Sequence, residues 1–312
     1  MVQPVLKWAG GKRQLLDEIY SRFPADYEHY HEPFFGGGAV FFDLEPDGGT
    51  INDTNPRLVN FYEVVRDHPE DLISRLRGFN DPEANPDPEQ RFANENWKGK
   101  DVEQYFYQQR ARFNRRAYGD EEWPATDEDR IEEAALLLYL NRTCYNGLYR
   151  ENSSGGFNVP IGRYANPEWV QADRIRAASH ALADTDIRNE DFAYILDAVR
   201  EGDLVYLDPP YQPMSSTANF AEYSADGFGR EDQERLLETV QELDEKGVCF
   251  VLSNSGVMYE MYVDAGFHVD KEGATRSINS DETARGEVDE IIATNVPEDA
   301  REEKGQTSIA DF

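Results

Sequence analysis

The sequence predicts an α/β fold: a doubly wound, mostly parallel sheet with helices on both faces and an inserted, mainly helical region. Three observations carry this. Strand-like and helix-like segments alternate from about Pro167 onward, the pattern of βαβ units. Acids end three of the expected strands, at Glu32, Asp53 and Asp208, and ligands of open α/β sheets bind outside those carboxyl ends. A chain of 312 residues can also bury a full core and still carry an insertion.

In chain order, Tyr27 to Glu32 reads as a short strand stopped by Pro33, and the glycines Gly36, Gly37 and Gly38 follow. Thr50 to Asp53 is a second strand, and Pro56 opens the next helix. Asp81 to Pro88 is loop. Val102 to Tyr118 and Glu132 to Asn141 are helices, the second with an apolar centre from Ala134 to Leu140. Arg110, Arg112, Arg115 and Arg116 suit either i,i+4 partners of acids or phosphate clamps. Arg142 to Tyr164 is a long polar loop whose aromatics, Tyr145, Tyr149, Phe157 and Tyr164, argue for order.

Strand Leu204–Leu207, helix Glu231–Lys246 and strand Val248–Leu252 come next. A helix near Val257–Ala265 and strands at Phe267–Asp270 and Val288–Thr294 complete the sheet. The expected organisation is one domain from residues 1–61 and 165–297, an insertion over 62–164, and an acidic tail over 298–312.

Charge balance is extreme, with 62 acidic against 31 basic residues and a formal charge of −31. Such a chain repels phosphates, which argues against nucleic acid as a partner. The acid is spread evenly, however, among 17 Tyr, 17 Phe and 4 Trp. That distribution fits a halophilic protein folded in a salt-rich cytosol, where screening is short-ranged. Two islands depart from it. Residues 1–16 carry Lys7, Lys12 and Arg13 and no acid, and residues 134–164 carry Arg142, Arg150 and Arg163 against Glu151 alone. An anionic ligand is expected there. The 2 cysteines, Cys144 and Cys249, match no metal or disulfide spacing, so no metal and a cytoplasmic location are expected. No run approaches the ~18 apolar residues of a membrane span.

The most specific local signal is Asp208-Pro209-Pro210-Tyr211, set behind the apolar run Leu204 to Leu207. Prolines hold the backbone extended and lack N–H groups, so the carbonyls of Asp208 and Pro209 stay open as acceptors. Acceptors beside an aromatic plate suit a planar heterocycle with an exocyclic amino group, such as adenine. Hydrogen bonds from that amine to a carboxylate and a carbonyl favour the pyramidal nitrogen, whose lone pair can attack a methyl donor.

Between Glu32 and the next helix, small residues let backbone approach a ligand closely. No Lys-Ser/Thr follows the glycines, and flanking acids would repel a pyrophosphate. Asp53, an acid 15 to 17 residues after the glycines, fits a ribose diol or the N-cap of the Pro56 helix. A cofactor with a ribose and no phosphate is preferred; S-adenosyl-L-methionine is one. In Lys7-Trp8-Ala9-Gly10-Gly11-Lys12, a lysine can pair with its methionyl carboxylate.

Together with Asn52-Asp53-Thr54-Asn55, Asn141-Arg142 through Arg150, and Phe157 to Gly162, these motifs resemble the Dam-like (D12 class) DNA adenine-N6 methyltransferases. The match runs from Leu6 to about Asn295. The resemblance implies a Rossmann-like S-adenosylmethionine-dependent fold whose insertion recognises duplex DNA. Under it, Trp8, Lys12, Phe34, Gly36, Asp53 and Asp208 contact the cofactor. Asp208, Pro209 and Tyr211 serve the flipped target base, with Tyr211 stacked on it. Tyr145, Asn146, Leu148, Arg150 and Pro160 contact DNA. Gly37 departs from relatives with a polar residue between two glycines.

The recognition loop offers an aromatic wedge, an amide for adenine and an Arg for guanine. RNA, protein-amide and cytosine-N4 methyltransferases are the alternatives; Asn or Ser is more usual at the first catalytic position of amide- and cytosine-directed relatives, so Asp208 favours adenine. The chain ends on Gln306, Ile309 and Phe312, spaced like a sliding-clamp-binding motif but with one terminal aromatic instead of two. A companion restriction endonuclease is a further expected partner.

Overall fold

The computed structural model describes residues 2–8, 10, 12–79, 100–118, 126–164, 166–210, 228–275 and 287–301. Tyr211, Gln306, Ile309, Phe312 and the Asp81 to Pro88 loop lie outside them.

Seven strands, β1 (Tyr30–Glu32), β2 (Gly49–Asn52), β3 (Thr185–Arg188), β4 (Leu204–Leu207), β5 (Cys249–Ser255), β6 (His268–Thr275) and β7 (Glu287–Thr294), form one sheet in the order β3-β2-β1-β4-β5-β7-β6. Parallel pairing joins β2 to β1, β1 to β4 and β4 to β5. β7 is antiparallel to both β5 and β6. Strand order reverses between β1 and β4, so the carboxyl ends at Glu32 and Asp208 flank the switch point where such sheets bind ligands.

Ten helices, α1 (Leu16–Tyr20), α2 (Ala39–Leu44), α3 (Pro56–Asp67), α4 (Pro69–Gly78), α5 (Lys100–Tyr118), α6 (Asp127–Thr143), α7 (Ala172–Ala181), α8 (Ile195–Ala198), α9 (Arg230–Glu245) and α10 (Tyr259–Asp264), are found among the described residues. The chain divides into two compact units. One comprises Met1–Gly11, Gly36–Glu45 and Asn55–Ile187, and the other Lys12–Phe35, Pro46–Thr54 and Arg188–Phe312.

In the first unit, α6 starts at the Thr126 cap, with Asp127, Glu128 and Asp129 in its first turn. Its residues Ala134 to Leu140 are all buried, and α3, α4 and α5 pack around it, which explains an apolar run with no polar face. In the second unit, Val205, Leu207, Phe250, Leu252, Ile291 and Ala293 of the sheet meet Leu236, Val240 and Leu243 of α9. Burial of each such side chain stabilises by roughly 1.5–3 kcal/mol. β4 is buried at every position, so its run is continuous and not alternating.

Candidate active site

Within the second unit, the end of β4 delivers Asp208, half-buried, with Pro209 buried behind it and Pro210 exposed. Lys12, on a short 3-10 turn (Lys12–Gln14), places Nζ 3.0 Å from Asp208 Oδ1 and 3.6 Å from Glu290 Oε2 of β7. The Lys12 and Glu290 side chains are only 4% and 7% exposed, against 22% for Asp208. Glu32, at the end of β1, accepts a hydrogen bond from Tyr30 Oη at 2.8 Å. The Tyr206 hydroxyl is held protonated by burial first and by the negative charges of Asp208, Glu32 and Glu290 besides. Three carboxylates and one ammonium therefore share this end of the sheet.

Asp53 lies one residue past β2. Its N–H donates to the Arg188 carbonyl at 3.3 Å, and its carbonyl accepts from Asn189 Nδ2 at 2.7 Å. The cap of α3 is Asn55, whose side chain accepts from the N–H groups of Arg57 and Leu58. The capping reading of Asp53 is thus excluded. Asn52, 1% exposed, donates to the carbonyls of Pro33 and Glu190 at 3.0 Å each and accepts from the Glu190 N–H at 2.8 Å. The Phe35 N–H adds a bond to the Asn52 carbonyl at 2.8 Å. These bonds pin the turn bearing Phe34. The Phe34 ring stacks on Phe192 (5.2 Å between centroids) and meets Phe228 edge-on (5.7 Å).

Within the first unit, Gly36 has φ +50° and Gly38 φ +66°, a left-handed backbone that favours glycine. A Cβ on Gly36 would lie 3.0 Å from Trp8 Cδ1, and one on Gly37 2.8 Å from Trp8 Cβ. Small residues here are thus required by the indole. On another side Trp8 stacks on Tyr149, with centroids 5.1 Å apart. Tyr62 Oη donates to the Gly36 carbonyl at 2.9 Å.

The recognition loop leaves α6 through Asn141, which is 1% exposed. Its Nδ2 donates to the carbonyls of Lys7 (2.7 Å) and Gly147 (3.0 Å), and its Oδ1 accepts from the Lys7 N–H (2.8 Å). Gly147 has φ +70°, and a Cβ there would fall 2.8 Å from Lys7 Cβ. Tyr145, 41% exposed, and Asn146, in a left-handed conformation (φ 55°), stand outward. The Tyr145 N–H donates to the carbonyl of Pro160, itself exposed, at 2.8 Å. Leu148 is half-buried, and exposed Arg150 donates through Nε to Asn158 Oδ1 at 2.7 Å.

The structure thus gathers the five expected DNA residues on one braced loop. It ties Arg110 to the Val159 carbonyl (3.2 Å) and Arg112 to Glu132 (2.8 Å), while Arg115 is exposed. Cys144 is buried, and burial pushes its thiol up to about 12, so it is no nucleophile at neutral pH.

Residues 8–278 match the family of D12 class N6 adenine-specific DNA methyltransferases. The chain belongs to that family. Among its relatives is the type II methyltransferase M1.LlaDCHI of Lactococcus lactis subsp. cremoris, 38% identical over 298 residues, covering 94% of this chain and 95% of the relative. The type II methyltransferase M.MjaIII of Methanocaldococcus jannaschii is 36% identical over 293 residues (89% and 93%). The DNA adenine methylase of Escherichia coli K12 is 34% identical over 294 residues (94% and 95%). Adenine-N6 methylation of DNA is therefore the reaction of this chain.

Sequence reasoning missed several members. Glu290 hid among the acids of β7, and its partner is fixed by strand register. Phe192 and Phe228 gave no signal before Phe34 was placed. Asn52 was visible only as part of a motif. Away from the strand ends, Asp203 Oδ1 and Oδ2 lie 3.1 and 3.3 Å from the rings of His29 and His31. With Glu28, Asp203 and His29 form a group of metal-ligand type. Among the described residues, no helix is long and apolar enough to cross a membrane.

Proposed function

We propose that the methyl donor is S-adenosyl-L-methionine and that Asp208 and Pro209 activate an extruded adenine at the end of β4. The observation that carries this reading is the placement of Asp208 at the switch point, with its carboxylate held by a buried lysine. The donor set suits the cofactor: carboxylates at the strand ends accept from ribose hydroxyls, and no P-loop lysine invites a pyrophosphate.

In the second unit Asp53 takes the ribose hydroxyls and Phe34 offers a ring face, while Lys12 sets the charge beside Asp208. The family resemblance supports Trp8 and Gly36 as further cofactor contacts. Bound there, the cofactor supplies an electrophilic methyl on a sulfonium. The protein's part is to prepare the nucleophile. Asp208 and the Pro209 carbonyl accept hydrogen bonds from the adenine amine, localise its lone pair, and stabilise the positive charge that would develop on that nitrogen as its bond to the methyl forms, the methyl–sulfur bond breaks and the amine then loses a proton. Tyr211 stacks on the base.

Extrusion costs a few kcal/mol, and stacking returns roughly 1–3 kcal/mol. Residues 62–164 carry target recognition. Tyr145 fills the vacated stack, Asn146 and Arg150 read base edges, and Leu148 and Pro160 complete the contact. The relatives named type II methyltransferases support a companion restriction endonuclease as a partner in the cytoplasm. Gln306, Ile309 and Phe312 support a contact with a sliding clamp, tested by clamp capture before and after deletion of 306–312. The cofactor reading is tested by titration calorimetry: S-adenosylmethionine binds the wild type, and Asp53→Ala weakens it about tenfold. Absence of binding by the wild type would overturn it.

A further inference from the structure

We infer that Glu290 is a positioning residue for methyl transfer, sharing the Lys12 ammonium with Asp208 so that the Asp208 carboxylate stays a strong acceptor. This rests on the reading of Asp208 as the acceptor for the adenine amine. The register of β7 against β5, which pairs Glu290 with Ser255, brings the glutamate to the end of the sheet where β4 releases Asp208. There Lys12 Nζ lies 3.0 Å from Asp208 Oδ1 and 3.6 Å from Glu290 Oε2.

A buried carboxylate is costly unless it is paired. Lys12 lies between the two carboxylates and supplies part of that pairing to each. With Glu290 ionised, the ammonium divides its donors, and electron density remains on Asp208. Without that charge, Lys12 and Asp208 form a closed neutral pair, and Asp208 becomes a weaker acceptor at the moment the amine develops positive charge. Glu290 acts through Lys12.

The test uses the full chain with Glu290→Gln, Glu290→Asp and Asp208→Ala, measuring kcat, KM for DNA and for S-adenosylmethionine, and Tm. Gln keeps the shape and an acceptor for Lys12 but drops the charge; Asp keeps the charge on a shorter stem. The expected result is a kcat lower by about tenfold or more in Glu290→Gln, with both KM values within about threefold of wild type. Glu290→Asp should fall between wild type and Gln. A structural role reverses that order, with Gln near wild type and Asp impaired, and would overturn the inference.

If Glu290→Gln does not fold, Glu290→Asp is set beside Glu290→Ser: a kcat kept within about threefold by Asp and lowered about tenfold by Ser, at unchanged cofactor KM, supports the inference, and equal loss in both or loss in neither overturns it. Activity in Asp208→Ala would remove the reading of Asp208 itself. An inactive Asp208→Ala beside a fully active Glu290→Gln would remove only the role given to Glu290.

Discussion

Trp8 lies flat against Tyr149, with ring planes 24° apart and centroids separated by 5.1 Å. The stack joins the amino-terminal motif, which also presses on Gly36 and Gly37, to the loop that bears Arg150. A residue assigned to the cofactor thus packs against a residue of the recognition loop within one compact unit.

Removing the ring of Tyr149 should loosen Trp8. Such stacking is worth ~0.5–1.5 kcal/mol, so Tyr149→Ala is expected to weaken S-adenosylmethionine binding by about three- to tenfold. Tyr149→Phe keeps the ring against Trp8 and should remain near wild type, although it loses the hydroxyl's bonds to Glu151 and Asn55. Calorimetric titration of both variants measures this.

Asn141→Ala removes three hydrogen bonds and leaves the carbonyls of Lys7 and Gly147 without that donor. A loss of about 3 kcal/mol in folding stability is expected, read from urea denaturation. In variants that still fold, discrimination between cognate and near-cognate DNA should fall more than turnover does.

Arg150 stands exposed at the loop tip and is braced by Asn158. Arg150→Ala should relax specificity at one base pair by about 1–3 kcal/mol and leave cofactor affinity unchanged. An equal loss on every sequence would make it a phosphate contact instead.

Alkaline pH should destabilise the fold. Burial raises the Cys144 thiol from its ordinary 9.0 to about 12, so the unfolded chain releases that proton first. The contribution is fully present below pH 9 and is lost as pH rises toward 12. Thermal melts between pH 8 and pH 11 should show a falling Tm, with a shallower slope in Cys144→Ala.

Much of this architecture was legible because particular residues announce it. Leu204 to Leu207 reads as a strand since it is buried on both faces, and Pro56 marks the start of α3 since its missing N–H costs nothing at a first turn. The helices α5 and α6 extend beyond the expected starts to Lys100 and Asp127, and for α6 the Thr126 cap and the acids of the first turn set that end. By contrast, β3 is a half-exposed Thr-Asp-Ile-Arg without alternation, and α7 offers only Ile175 and Ala178 to its core face. Neither carries a periodic signal. In the site, Asp208 was visible from the prolines that follow it. Its salt bridge with Lys12 was not, because nothing local says where a lysine nearly 200 residues earlier will lie. Glu290 was hidden for the same reason.

The central claim is tested most directly by incubating adenine-containing duplex DNA with S-adenosylmethionine and either the wild type or Asp208→Ala at high salt, then resolving the nucleosides by mass spectrometry. N6-methyladenine is expected from the wild type and none from Asp208→Ala, although that variant should still bind DNA. Methyl groups on cytosine N4, or undiminished N6-methyladenine from Asp208→Ala, would contradict it.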